Sequence, residues 1–140
     1  MKCTVLGKEA DGNPAFIMSQ YGKGKIYLLT FPIENNLATT AGAFDKGMPA
    51  WCNIYKLVAK EVIEKRILTQ NNTYVGVTEH NISDNEKVVI LINYDYDEAT
   101  SDFNVKDGWK ITDCLYGKMT SGKSLKINAN DAVVLVLKKS

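Results

Sequence analysis

Histidine is almost absent from this sequence, because His80 is the only one among 140 residues. A metal site or catalytic network that needs more than one imidazole therefore cannot be built from these residues. His80 follows Glu79 at the end of a strand-like segment, where we expect both side chains to lie in a solvated rim. An acid–base site would have to use carboxylates alone.

An excess of charge of either sign is also lacking. The 17 Lys and Arg residues nearly balance the 16 Asp and Glu residues, which leaves a formal net charge of +1. No basic block is concentrated anywhere along the chain, and a surface that binds nucleic acid normally contains such a block. We therefore expect no nucleic-acid partner.

Long apolar runs and a regular set of cysteines are absent as well. The longest apolar runs are far shorter than the ~20 residues that span a bilayer, and no signal-peptide core follows Met1. Cys3, Cys52 and Cys114 are odd in number and widely spaced, which argues against a disulfide framework. These features predict a cytoplasmic protein with reduced thiols and no membrane partner.

Two aliphatic runs, residues 88–92 and 132–137, indicate where a covered β-sheet lies. The residues of a half-buried strand alternate between apolar and polar, whereas a run without alternation is typical of a strand covered on both faces. We therefore expect a sheet between two layers that the rest of the chain supplies.

Short strands are predicted along most of the remaining chain. Asp11-Gly12 and Gly22-Lys23-Gly24 are turn signals, and they separate three strands into an N-terminal meander. From residue 73 onward, closely spaced strands and turns are typical of an antiparallel sandwich or small barrel. The predicted strands are residues 3–9, 15–21, 25–31, 74–79, 87–94, 100–105, 109–116, 124–127 and 131–138.

A long helix is predicted over residues 48–67. Pro49 suits its first turn, and apolar side chains recur at helical spacing, namely Trp51, Ile54, Tyr55, Val58 and Val62. We expect this stripe to cover the sheet, and a ligand-binding role for Trp51 or Tyr55 is the alternative. The predicted fold class is α+β, with the meander and helix in residues 1–70 and a β-sandwich in residues 71–140.

Residues 117–124 read G-K-M-T-S-G-K-S and match the phosphate-binding P-loop pattern in its letters. A P-loop needs a helix after its Lys-Ser pair, because the helical N–H groups hold the phosphate. The segment after Lys123 alternates between polar and apolar residues and predicts a strand instead. We therefore interpret residues 117–124 as a hairpin loop without a nucleotide.

No set of residues adds up to a catalytic, cofactor or metal site. Four carboxylates lie close together in the sequence, those of Asp95, Asp97, Glu98 and Asp102. We interpret them as a solvated acidic turn, and a weak Ca²⁺ site is the alternative. Cys52 and Cys114 have no base nearby in the sequence, so we interpret both as packing residues. We predict no catalytic residue, no cofactor and no metal ligand.

The aromatic residues Tyr94, Tyr96, Trp109 and Tyr116 have two interpretations. Exposed rings on a β-sandwich can form a flat platform that stacks against sugar rings. The same rings can fill the core, where a Trp on a central strand is common. The sequence favours the core, and the sugar platform stays open as the alternative.

Three N-terminal segments resemble a recurrent segment of bacterial glycoside hydrolases of the β-galactosidase type. They are residues 11–16 (D-G-N-P-A-F), 21–28 (Y-G-K-G-K-I-Y-L) and 31–34 (F-P-I-E). In that family this segment ends a glutamine-amidotransferase-like domain, which follows a catalytic (β/α)₈ barrel. Residues 78–80, 89–94 and 130–135 resemble the small terminal β-domain of the same enzymes.

The resemblance implies a non-catalytic accessory region that supports the barrel or its assembly. The two catalytic glutamates of the family lie in the barrel, and no position here matches them. The expected partners are the catalytic barrel, a second copy of this chain and carbohydrate. A carbohydrate-binding module is the alternative function, and a small free-standing enzyme is a third.

Overall fold

The structure, a computed structural model, describes residues 3–119 and 122–140. The chain forms two compact units, Met1–Trp51 and Cys52–Ser140. The division between them precedes the predicted boundary after residue 70. That boundary stays a prediction, because compactness does not measure whether a segment folds independently.

The first unit contains a three-stranded antiparallel sheet in the order β1-β2-β3, as the turn signals predict. Its strands are β1 (Cys3–Lys8), β2 (Pro14–Tyr21) and β3 (Gly24–Leu29). A short helix, α1 (Ile33–Thr39), follows and buries Ile33 and Leu37. The sequence analysis missed α1, because two apolar residues on one face are too few to establish helical periodicity.

The predicted helix over residues 48–67 is wrong. This region holds two short helices, α2 (Cys52–Val58) and α3 (Lys60–Ile63), and none of their residues is buried. The stripe that was expected to cover the sheet is solvent-accessible, since Tyr55 and Val58 are 45% and 44% exposed. In the described part of the chain, no helix is long and apolar enough to cross a membrane.

The strand β4 (Leu68–Gln70) directly follows the residues of the predicted helix and pairs with residues 103–105. Ile67 and Leu68 are buried in the hydrophobic core of the second unit. Core burial of these two side chains outweighs the weak helical preference of the segment. The predicted α+β class is therefore wrong, and the chain is predominantly β.

The second unit contains two antiparallel sheets. The strands that follow β4 are β5 (Val75–Ser83), β6 (Glu86–Asn93), β7 (Ala99–Val105), β8 (Trp109–Tyr116), β9 (Ser124–Ile127) and β10 (Ala132–Lys139). Four strands form one sheet in the order β5-β6-β10-β8, and three form the other in the order β4-β7-β9.

One hydrophobic core lies between these sheets, so the second unit is a β-sandwich. The four-stranded sheet contributes Val75, Val77, Val89, Leu91, Val133, Leu135 and Leu137, and the other contributes Leu68, Ala99, Phe103, Leu125 and Ile127. Along β6, Val89 and Leu91 are fully buried, whereas Val88, Ile90 and Ile92 on the opposite face are half-buried. The aliphatic run at residues 88–92 therefore has one buried face rather than two.

A largely buried carboxylate joins the two sheets where β4 lies beside β5. The backbone N–H groups of Ile67 and Leu68 donate to Glu79 Oε1 at 2.6 and 3.2 Å. Lys87 Nζ lies 3.5 Å from Glu79 Oε2 and 5.6 Å from the ring centroid of Trp109. The Glu79 side chain is only 12% exposed, so its predicted place in a solvated rim is wrong.

A second polar bridge is formed by Asn93, which is 1% exposed at the end of β6. Its Nδ2 donates to the carbonyls of Asp97, Ile127 and Asn128 at 2.8, 3.2 and 2.9 Å. Its Oδ1 accepts the N–H of Asp95 at 2.9 Å. Asn93 therefore ties the four-stranded sheet to the end of β9 and fixes the path of the chain after β6.

We expect Glu79→Ala to lower the free energy of unfolding by roughly 2–4 kcal/mol, because it leaves a largely buried ammonium and two amides without their acceptor. Glu79→Gln keeps an acceptor oxygen and should therefore lower the free energy of unfolding less than Glu79→Ala does. Urea denaturation of the purified chain measures both changes.

Glu98→Ala is the matched control for this prediction. Glu98 pairs with Lys126 at 3.1 Å, but the two side chains are 51% and 61% exposed. Its loss should therefore change the free energy of unfolding by less than about 1 kcal/mol. Equal losses in Glu79→Ala and Glu98→Ala would contradict the bridging role of Glu79.

Candidate functional site

The face of the four-stranded sheet that points away from the shared core, here called the outer face, presents exposed tyrosines at one end. Strand register places Gly76, Ile92 and Ala132 side by side across β5, β6 and β10. Tyr94 follows Asn93 on one side of this row, and Tyr116 of β8 pairs with Val134 on the other. Side chains of directly paired residues point to the same face, so Tyr116 shares the outer face with Val134.

Tyr94 lies down on the sheet because residue 76 is glycine. A Cβ added to Gly76 would sit 2.8 Å from Tyr94 Cε2, closer than atoms can pack. The Tyr94 N–H also donates to the Tyr74 carbonyl at 3.0 Å. The ring therefore rests against Gly76 while the side chain stays 64% exposed.

Tyr116 is held by a hydrogen bond at the other side of the row. Its hydroxyl donates to Asp131 Oδ1 at 3.0 Å, and Asn128 Nδ2 donates to Asp131 Oδ2 at 3.3 Å. The Ala132 N–H, then the Tyr116 hydroxyl, hold the pKa of Asp131 below its usual value of 3.8. The hydrogen bond to Asp131 and its negative charge raise the pKa of Tyr116 above 10.0.

The structure separates the four aromatic residues that the sequence analysis grouped together. Trp109 packs against the core beside Ile111, so it lies on the other face of the four-stranded sheet. Tyr96 is 87% exposed in the segment after β6. Only Tyr94 and Tyr116 flank the row of Gly76, Ile92 and Ala132, and a sugar platform at these residues stays a prediction.

The acidic residues have individual partners in the structure. Asp102 accepts a hydrogen bond from Asn71 Nδ2 at 3.3 Å, and Glu98 pairs with Lys126. Among residues 3–119 and 122–140, no group of three or more His, Cys, Asp or Glu side chains could hold a metal ion. His80 Nε2 lies 3.2 Å from Thr78 Oγ1 on an exposed strand surface.

The P-loop-like segment leads into a strand rather than a helix. Ser124 begins β9, so the helical N–H groups that a phosphate site requires are not provided after Lys123. The loop connects β8 of one sheet to β9 of the other, so the predicted hairpin is wrong. Thr120 and Ser121, at the centre of this prediction, lie outside the described residues.

Sequence reasoning missed Gly76, Asn93 and Asp131, which position the two tyrosines. A glycine inside a strand pattern is a signal for close approach by another group, and Gly76 carries that signal. Asn93 and Asp131 carry no comparable signal, because their partners come from other strands and connections.

Acid titration should reveal the bond between Tyr116 and Asp131. Asp131 has a lowered pKa, so its stabilising contribution is present above pH 3.8 and is lost as the pH falls through its folded pKa. Tyr116 has a raised pKa, so its contribution is present below pH 10.0 and is lost as the pH rises through its folded pKa. Tyr116→Phe should raise the pKa of Asp131, as measured by the ¹³C shift of its carboxyl carbon.

Tyr96→Phe is the control for this titration, since Tyr96 is 87% exposed. It should leave the titration of Asp131 unchanged. An unchanged pKa of Asp131 in Tyr116→Phe would show that the hydrogen bond does not form in solution.

Comparison with known proteins finds similarity in structure only. No protein-family model matches the sequence, and no curated protein matches it. The chain is similar to an exo-carrageenase of family GH42 from Bacteroides ovatus at 14% identity and a TM-score of 0.45. That match covers 63% of this chain and 13% of the other.

The chain is also similar to Gan42B, a GH42 β-galactosidase, at 15% identity and a TM-score of 0.52. This match covers 99% of the chain but only 18% of that protein. The chain thus spans less than a fifth of the length of either enzyme. At such low identity the match concerns the fold alone, and the chain has a fold similar to part of a GH42 β-galactosidase.

Proposed function

We propose that this chain is a non-catalytic accessory region of a glycoside hydrolase of the β-galactosidase type, which supports the catalytic barrel or its assembly. The observation that carries the proposal is the match of 99% of the chain to 18% of a GH42 β-galactosidase. The N-terminal segments that resemble this family support it independently. The family's catalytic glutamates have no counterpart here.

The three-stranded sheet offers a surface for a partner. Val5, Ile17 and Leu28 form a row of paired residues across β1, β2 and β3. Val5 is 43% exposed, and Ile26 and Leu28 on the edge strand β3 are 52% and 56% exposed. An edge strand with exposed aliphatic side chains tends to pair with another chain. Such a surface suits the remainder of a larger enzyme, or a second copy when that remainder is missing.

The genomic reading frame upstream of the Met1 codon tests the accessory role. We expect an in-frame region that encodes a (β/α)₈ barrel, and we expect the purified 140-residue chain to leave p-nitrophenyl β-galactoside intact. A promoter directly upstream would contradict the proposal. So would turnover that disappears when one carboxylate of this chain is replaced.

Leu28→Lys tests whether the edge of the three-stranded sheet associates. We expect the parent chain to self-associate at high concentration and the variant to stay monomeric, because a charge on an edge strand opposes pairing. Light scattering across a dilution series measures the mass. Gln20→Lys places the same charge on an exposed polar site of the central strand β2 and serves as the control. A parent chain that is monomeric at every concentration would contradict this prediction.

Carbohydrate binding is the second candidate function. The specific observation in its favour is that Tyr94 and Tyr116 are 64% and 55% exposed at the same end of the outer face. Tyrosine combines an apolar ring with a hydroxyl and therefore suits ligands that have both C–H surfaces and hydroxyl groups. Trp109 does not contribute, because it packs against the core.

A further inference from the structure

The part of the outer face that lies between Tyr94 and Tyr116 is wide enough to hold an extended ligand. Neighbouring strands lie about 4.8 Å apart, so the three steps from β5 to β8 span roughly 14 Å. Tyr94 rests above β5 on Gly76, and Tyr116 extends from β8 at the opposite edge. A short oligosaccharide can span this width, whereas a monosaccharide reaches one ring at a time.

Both rings are held in place before any ligand binds. Tyr94 rests on Gly76, and its N–H is bonded to the Tyr74 carbonyl. The Tyr116 hydroxyl is bonded to Asp131, which in turn accepts from Asn128. Because few side-chain rotamers remain to be fixed on binding, such a surface loses little entropy when it takes up a ligand.

The groups around the rings combine apolar and polar character. Ile92 and Ala132 are half-buried and form an aliphatic floor between the tyrosines. Thr78 lies two residues beyond Gly76 along β5 and on the same face, and the Asp131 carboxylate lies beside Tyr116. A pyranose ring needs such a mixture, since its C–H face packs on aromatic carbon while its hydroxyls need donors and acceptors.

The two tyrosines by themselves offer too little exposed area for a stable protein interface. Tyr94 and Tyr116 are 64% and 55% exposed, so together they offer roughly 250 Å². A stable protein interface takes about 800 Å² from each partner. The floor between the rings adds little, because Ile92 and Ala132 are already half-buried.

We infer that this end of the outer face is a binding site for an extended oligosaccharide of hexopyranose units, which lies across the strands with sugar rings stacked on Tyr94 and Tyr116. The site rests on the second candidate function, carbohydrate binding. It gives that function a location, a ligand class and an orientation of the chain across β5, β6, β10 and β8.

Titration of the ¹⁵N-labelled chain with cellotetraose and with β-1,4-galactotetraose tests the site. We expect at least one tetrasaccharide to shift the amide signals around Gly76, Tyr94 and Tyr116. Tyr94→Ala and Tyr116→Ala should each weaken binding by about tenfold, which corresponds to about 1.4 kcal/mol. Galactose should bind more weakly than the tetrasaccharide, because it cannot contact both rings.

Three variants separate stacking from other effects. Gly76→Ala keeps Tyr94 but places a Cβ 2.8 Å from its ring, so it displaces the ring and should weaken binding less than Tyr94→Ala does. Tyr116→Phe keeps the ring and should change binding by less than about threefold. Tyr96→Ala removes a more exposed tyrosine, at 87%, and should leave binding unchanged. Amide spectra without sugar show whether each variant is folded.

Two results would overturn this site in distinguishable ways. Tetrasaccharide binding that survives the combined replacement of Tyr94 and Tyr116 by Ala would overturn the site and leave carbohydrate binding as the function. Absence of binding to both tetrasaccharides would overturn the site and the carbohydrate-binding function together. The accessory role depends on neither result, because the upstream reading frame tests it.

Discussion

The hydrogen bonds and the ion pair of the Glu79 carboxylate join the two sheets of the β-sandwich where β4 lies beside β5. The carboxylate points inward from β5, where an unpaired charge would be strongly unfavourable. Two backbone amides before and within β4 and the ammonium of Lys87 supply its partners. Because those amides belong to the other sheet, satisfying the carboxylate also holds β4 beside β5. Lys87 in turn lies over the ring of Trp109, which packs against the core.

Asn93 has the corresponding role on the side of the sandwich that leads to the tyrosines. Its buried amide group fixes the carbonyls of Asp97, Ile127 and Asn128 together with the N–H of Asp95. Tyr94 is therefore preceded and followed by anchored residues, although its own side chain is exposed. The buried hydrogen bonds of Asn93 on the inner side of the sheet thus position the Tyr94 side chain on the outer side. A surface site of this kind depends on the core beneath it.

The similarity to a GH42 β-galactosidase at 15% identity shows how little of the sequence this fold requires. Strand spacing, turn glycines and inward-facing aliphatic residues are sufficient to specify two packed sheets, and many different residues meet those needs. These packing requirements alone do not explain why four residues are present, namely Gly76, Tyr94, Tyr116 and Asp131. We therefore place the functional proposals on the surface of the sandwich and on the exposed edge of the three-stranded sheet.

The sequence by itself determined most of the strands, because alternation of apolar and polar residues and turn signals such as Asp11-Gly12 are local properties. It placed β8 and β9 at their observed bounds and correctly predicted the N-terminal meander.

The sequence did not predict the features that depend on partners distant in the chain. Residues 48–67 have helical spacing, yet they form only two short exposed helices, and Ile67 and Leu68 after them are buried in the core. Glu79 was predicted to lie in a solvated rim, and nothing in the sequence indicates the buried partners of Asn93, because those partners come from other segments. Only the tertiary structure could pair Tyr94 with Gly76 and Tyr116 with Asp131, since each contact joins residues from different strands or connections.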